Sequence, residues 1–205
     1  MALIGVGHWD QVFAAGTGFR PADPVEMRLV ADHAQPRRGQ RALDVGCGLG
    51  GYAAQLTGLG YDTLAVDWAE SSVAAVRDRY VGLLPGLHTL HLDFEDDQAV
   101  EAALPVGTFD LVTMRLVYAF MADQSAAAER VRRLLTPEGV CLVTTPLAER
   151  LPRERRHIGL TEEGVGALTG GWGSGCWYDL EPGGLRCFVL RPHPVRAGSA
   201  WPASR

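Results

Sequence analysis

LDVGCGLGGY, residues 43–52, sets Gly46, Gly48, Gly50 and Gly51 directly behind a short apolar run that carries one acid, Asp44. Glycine supplies positive φ and lets another group lie against the main chain. A helix that begins straight after a strand presents free N–H groups and a positive dipole end to whatever sits above it. Two spacings fit. One is G-x-G-x-x-G over Gly46, Gly48 and Gly51; the other is D-x-G-x-G-x-G from Asp44 to Gly50. Either reading makes this a strand–turn–helix that holds a ligand, with a tight structural turn as the plain alternative.

The flanking sequence repeats the same unit. RALDVGC (41–47) reads as a buried parallel strand ending in glycine, and GYAAQLTGLG (51–60) as a helix stopped at Gly58 or Gly60. DTLAVDW (62–68) is a second strand and ESSVAAVRDRYVGLL (70–84) a second amphipathic helix. HTLHLDF (88–94) and FDLVTM (109–114) are the third and fourth strands. A helix starts near Asp123, and EGVCLVTTP (138–146) is the fifth strand. Alternation with short connections predicts an α/β fold with a doubly wound, mostly parallel sheet, helices on both faces. In such sheets ligands bind beyond the carboxyl ends of the strands.

Past Pro146 the pattern changes. Residues 147–160 are basic and interrupted by Pro152, a loop or short irregular helix. Thr161 caps a weak helix, and 176–191 alternates about a Pro-Gly-Gly turn as a β-hairpin does. The expected division is a cap or lid over 1–24, one domain over 25–191, and a disordered tail over 192–205.

Composition limits the function classes. A chain of 205 residues with 47% hydrophobic and 21% charged residues suits one folded domain. A formal charge of −5 lacks the basic footprint of a nucleic-acid binder. Cys47, Cys141, Cys176 and Cys187 are scattered, without metal-ligand spacing, so no metal is expected. No apolar stretch reaches the roughly 20 residues of a membrane span, and the start lacks the pattern of a secretory signal. A cytoplasmic protein without a membrane partner is the expectation, its oligomeric state undetermined.

The acids discriminate between ligands. A carboxylate under a pyrophosphate repels it, whereas an ammonium group welcomes one, so Asp44 favours an amino-acid-bearing cofactor over a dinucleotide. Asp67, at the end of the second strand, can accept ribose hydroxyls of either. Trp68 can lie against an adenine face or belong to the core. Asp93 can accept an adenine amino group, with the Phe94 main chain nearby, or be a plain exposed loop acid.

LDVGCGLGG, AVDWAESSV, LDFED, FDLVTMRLVYAFM and LLTPEGVCLVTTP, in that order, resemble the successive motifs of class I (Rossmann-like) S-adenosylmethionine (SAM)-dependent methyltransferases of the small-molecule type. The resemblance covers roughly residues 40–146. It implies a seven-stranded sheet with the last strand antiparallel, SAM as cofactor and S-adenosylhomocysteine as product. It also implies Asp44, Gly46, Gly48 and Gly50 around the methionyl part, Asp67 on the ribose, and Asp93 with Phe94 at adenine; Cys47, Trp68 and Met114 complete the expected cofactor set. Arg115 departs from the general pattern, as either a carboxylate clamp or half of an ion pair.

Methyl transfer needs positioning and exclusion of water more than an acid–base dyad. The candidates for catalysis are Arg115, Tyr118, His8 and His157, and those for the acceptor pocket are Trp9, Phe13, Arg115, Tyr118 and His157. Residues 7–21 mix aromatics and glycines, as a lid over a cofactor or as a helix packed on the sheet. MRLVYAF stands where nucleobase-amine enzymes carry an Asn-Pro-Pro-Tyr-type tetrapeptide, so a small metabolite methylated at O or N is the expected partner, with no nucleic acid. A nicotinamide-dependent oxidoreductase and a non-methylating SAM-binding protein are the alternatives.

Overall fold

β1 (Arg41–Val45) is buried from Ala42 onward because it pairs on both edges, parallel to β2 (Asp62–Asp67) on one side and β4 (Phe109–Arg115) on the other. The computed structural model describes residues 5–22, 24–180 and 184–193. Beyond β2 lies β3 (Leu87–His91), and beyond β4 lie β5 (Leu135–Pro146), β7 (Leu185–Arg191) and β6 (Ser174–Leu180). The sheet order is β3-β2-β1-β4-β5-β7-β6, with β7 antiparallel to both of its neighbours. This is the doubly wound sheet that the alternation predicts, with the seven strands that the resemblance implies, and strand order reverses between β1 and β4, where a ligand crevice opens.

Side chains on a strand alternate between faces, and the core divides accordingly. Leu43, Val45, Val112, Met114 and Val143 join one cluster with α6 (Gln124–Leu134) and α7 (Glu162–Thr169). Ala42, Leu111, Leu142 and Val189 join another with α2 (Pro24–Ala34) and α3 (Gly51–Gly58). The helix starts are capped as their sequences suggest. Asp123 accepts from the Ala126 N–H and Thr161 from the Gly164 N–H, which satisfies donors that a helix leaves open.

Some boundaries differ from expectation. β3 stops at His91, so Asp93 lies in the loop that follows rather than at a strand end. Helix α4 (Glu70–Arg79) stops short of Tyr80, and a 3-10 turn covers 81–83. Residues 147–160 form two 3-10 turns, Ala148–Arg150 and Arg153–Ile158. Two helices had no sequence-based counterpart, α2 and α5 (Asp97–Ala103). The leader contains α1 (Val6–Ala14), tied to α4 by the Asp10 carboxylate, which accepts from the Ser71 N–H (3.0 Å) and Oγ (2.8 Å). The expected tail lies outside the described residues from 194 on, as does most of the Pro-Gly-Gly turn.

Leu142 is 1% exposed at the centre of β5, packed towards α2 and α3. Leu142→Ala is expected to cost about 2–5 kcal/mol through lost burial and a residual cavity. The check is a lower urea midpoint with an unchanged denaturant slope.

Candidate functional site

The glycine turn is held by one acid. Asp67, at the end of β2, accepts the Gly48 N–H on Oδ2 (2.9 Å) and the Ala69 N–H on Oδ1 (3.0 Å). The Gly46 and Cys47 N–H groups both donate to the Val66 carbonyl, and Gly50 N–H to the Cys47 carbonyl. Burial pushes the Asp67 carboxyl above its ordinary range, opposed by the two N–H donors. Asp67 therefore has a structural duty besides the ribose contact the sequence suggests; each oxygen keeps acceptor capacity.

Gly46, Gly48 and Gly50 have φ of 69°, 51° and 76°, the left-handed region that side chains avoid. The glycines also keep clear of the protein itself. A Cβ on Gly46 would come within 2.6 Å of Val117 Cγ2, and one on Gly48 within 3.2 Å of the Phe13 ring. Val117 is brought there by Leu116, which turns the chain after β4 at φ 60° while its N–H donates to the Thr144 carbonyl.

Asp44 is 2% exposed. Thr113, its partner in the β1–β4 register, donates to Oδ1 at 2.7 Å. Oδ2 is buried with no hydrogen-bond partner among the described residues. Desolvation raises this carboxyl from 3.8 to about 7, against the lowering effects of Thr113 and of Arg115. Arg115, two residues beyond Thr113 and so on the same face, donates from Nε to Glu26 Oε1 at 2.8 Å and from Nη1 to the Arg20 carbonyl at 2.6 Å. Its Nη2 is the second buried atom here that lacks a partner among the described residues. The ion pair of the sequence-based alternatives is present, and one donor is left over.

These groups border a cavity of about 920 Å³. Gly46, Cys47, Gly48, Asp67, Trp68, Asp93 and Phe94 all line it, so most of the expected cofactor set converges. Cys47 is buried and its thiol is pushed up, first by desolvation. Trp68 is half-buried at the wall, and Asp93, exposed, accepts the Glu95 N–H at 2.9 Å. From the leader come His8, Trp9 and Phe13; from the second 3-10 turn comes exposed His157.

Three expected residues stand elsewhere. Met114 is fully buried on the α6 face, because it alternates with Thr113 and Arg115 along β4. Tyr118 is also fully buried in that core, its hydroxyl donating to the Gln124 carbonyl at 2.7 Å, which removes it from any acceptor pocket. Gly50 does not line the cavity: its missing Cβ clears Val76 of α4 instead, at 2.6 Å.

Other lining or supporting residues escaped the sequence reading. Phe19 and Phe120 complete an aromatic cluster with Trp9, whose ring is 5.6 Å and 5.3 Å from theirs by centroid. Glu26, 1% exposed, and Thr113 act on the site through Arg115 and Asp44. Pro24 followed by Glu26 is a helix-start signal that marks α2; the Thr113 contact depends on strand register, which no local pattern carries.

Residues 43–143 match the family described as "Methyltransferase domain". Nocamycin O-methyltransferase of Saccharothrix syringae is 36% identical over 155 residues, 74% of this chain and 52% of that protein. A ubiquinone biosynthesis O-methyltransferase of Xanthomonas axonopodis pv. citri is 32% identical over 60% of this chain and 49% of its own. The chain thus spans about half the length of these two relatives. Among solved structures, a SAM-dependent methyltransferase from Aquifex aeolicus superposes with TM-score 0.66 at 17% identity, covering 91% of this chain and 97% of that one, a likeness of fold.

Two outcomes follow from this geometry. Gly46→Ala meets both a left-handed backbone and Val117, and a loss of about 1–3 kcal/mol is expected on thermal unfolding; adding Val117→Ala restores only the part due to the clash. The Asp44 carboxyl stands near 7 when folded and 3.8 when unfolded. Its protonated form therefore contributes stability that is complete below pH 3.8 and lost as pH rises through about 7. Relative to Asp44→Asn, the wild-type midpoint should fall between pH 4 and 7, read by chemical denaturation across that window.

Proposed function

We propose that this chain, which belongs to the class I (Rossmann-like) SAM-dependent methyltransferase family, binds SAM at the glycine turn and transfers its methyl group to O or N of a small metabolite. The observation that carries this reading is the buried, unpartnered Oδ2 of Asp44 beside the turn. A buried acceptor left open costs about 1–3 kcal/mol, and a carboxylate there opposes a diphosphate while suiting an ammonium group. The nicotinamide alternative is disfavoured on that ground.

The residues present fit the cofactor. Asp44 would face the amino group, the Gly46–Gly48 turn the methionyl part, Asp67 the ribose, and Trp68, Asp93 and Phe94 the base. Bound SAM supplies a methyl group activated by a sulfonium. The chain's contribution is to place the acceptor and keep water out. Trp9, Phe13, Phe19 and Phe120 supply an apolar cover, with ring faces that favour a cation. The leader acts as a lid in this reading, fastened to α4 through Asp10 and Ser71. His8 and His157 are the available proton acceptors, needed only where the acceptor atom starts protonated.

The cavity and the relatives together support this acceptor class. Nocamycin and ubiquinone-precursor O-methyltransferases and a phosphoethanolamine N-methyltransferase are among the similar proteins. Within this chain the walls are mostly apolar and aromatic, suited to a small organic acceptor rather than to a nucleic acid. Among the described residues no helix is long and apolar enough to cross a membrane.

Titration with SAM and with NAD tests the reading: SAM binds and NAD does not, and a panel of phenols, carboxylic acids and amines yields S-adenosylhomocysteine with at least one member. NAD binding without SAM binding reverses it. Asp67→Ala is expected to weaken SAM binding roughly 100-fold or more, because it removes charge-assisted acceptors and releases the turn. Affinity for S-adenosylhomocysteine should also rise from pH 6 to 8 as Asp44 ionises, and this rise should vanish in Asp44→Asn.

A further inference from the structure

We infer that Arg115 is the anchor for the cofactor's α-carboxylate, and that Arg115 and Asp44 together read the zwitterionic end of the ligand. This rests on the SAM reading above and assigns to Arg115 a role at the tail rather than at the acceptor. Among the described residues four buried side-chain atoms have no hydrogen-bond partner: Asp44 Oδ2, Arg115 Nη2, Tyr61 Oη and Thr63 Oγ1. The first two belong to residues that line the cavity, and they are one acceptor and one donor.

Their placement follows from strand pairing. Asp44 faces Thr113 across the β1–β4 ladder, and Arg115 is the next residue of β4 on that face, opposite the position of Gly46. The two side chains are diagonal neighbours at the start of the turn. They sense one another, since Arg115 is among the charges that lower the Asp44 carboxyl. An α-amino acid carries its ammonium and carboxylate on one carbon, which is the charge pattern these two orphaned atoms complement.

The guanidinium is also fixed in advance. Nε is committed to Glu26 of α2 and Nη1 to the main chain at Arg20, and the side chain is 10% exposed. The group lies 5.7 Å from the centroid of the Tyr52 ring on α3. A planar fork held on two edges leaves its remaining donor with a set direction. Glu26 offsets the charge of Arg115, so the attraction for a carboxylate comes from a directed hydrogen bond in a dry site rather than from a long-range field.

The experiment compares three ligands by calorimetry: S-adenosylhomocysteine, its analogue lacking only the carboxylate, and 5′-methylthioadenosine, which lacks the whole amino-acid tail. Wild-type protein is expected to prefer S-adenosylhomocysteine over the decarboxylated analogue by roughly 10- to 100-fold, the scale of one charge-assisted hydrogen bond. Arg115→Met should remove that preference while leaving 5′-methylthioadenosine affinity within about 2-fold, which doubles as the test of folding. Arg115→Lys retains a positive charge beside Glu26 but has no three-way fork, and it should shrink the same preference.

Equal affinity of wild-type protein for the two homocysteine-type ligands overturns the assignment and leaves the methyltransferase reading in place. Loss of all three affinities together in both variants also overturns it. Binding of none of the three ligands by the wild-type protein overturns both the assignment and the reading beneath it.

Discussion

The Asp67 carboxylate is the point on which the site depends. It joins the end of β2 to the glycine turn after β1 through the Gly48 N–H, and to the start of α4 through the Ala69 N–H. The glycine turn and the β2–α4 junction, 19 residues apart in sequence, are thereby locked together beside the switch in strand order, where the sheet leaves a crevice. The left-handed glycines make the turn possible, but on their own they leave the unfolded chain with extra freedom to lose. One buried acid with two main-chain donors offsets part of that cost and aims the loop. The same residue that suits a ribose is thus also the one that shapes the cradle.

Charge is sorted across the cavity by the same topology. Asp44, Asp67, Asp93 and Glu95 arise from β1, β2 and the loop after β3, on one side of the switch point. Arg115 ends β4, and Arg155 comes from the turn after β5, on the other. Arg79 of α4 is the exception on the acidic side. A ligand bearing a sulfonium and an ammonium suits the acidic half. Across the boundary stands Arg115, so that a tail carboxylate meets the first cation met on leaving the acids. The two-toned wall follows from which strands neighbour which, since each strand delivers its last residues to one place in the crevice.

How far this was legible in the sequence depends on the kind of contact. The alternation of β1, α3, β2, α4 and the later strands could be read because burial on both faces imposes long apolar runs and glycine or proline ends them. The place of Asp44, Gly46 and Gly48 beside the cavity was legible because their spacing is set within one strand–turn–helix, and that of Asp67 because it ends the next strand. Met114 and Tyr118 were misplaced for the opposite reason. Which face Met114 takes follows from its alternation with Thr113 and Arg115 once the register with β1 is fixed, and Tyr118 is carried into the core by Leu116, which turns the chain beyond the strand. Helix α5 was missed although Asp96 caps it; seven residues with few large apolar groups give weak periodicity.

Glu26 and Thr113 mark the limit more sharply. Each acts on the site only through a partner, Arg115 or Asp44, from an element 89 or 69 residues away in sequence. Local pattern contains no trace of such pairs, yet they decide which atoms remain unsatisfied. Thr113 takes one oxygen of Asp44 and leaves the other; Glu26 takes one nitrogen of Arg115 and leaves another. A fold selected for stability alone has cheaper solutions, since an apolar pair at both positions would abolish both penalties. One acceptor and one donor without protein partners among the described residues, one on each side of the β1–β4 seam, complement a ligand that bonds to both at once. Burial makes such a ligand's hydrogen bonds stronger than they would be in water.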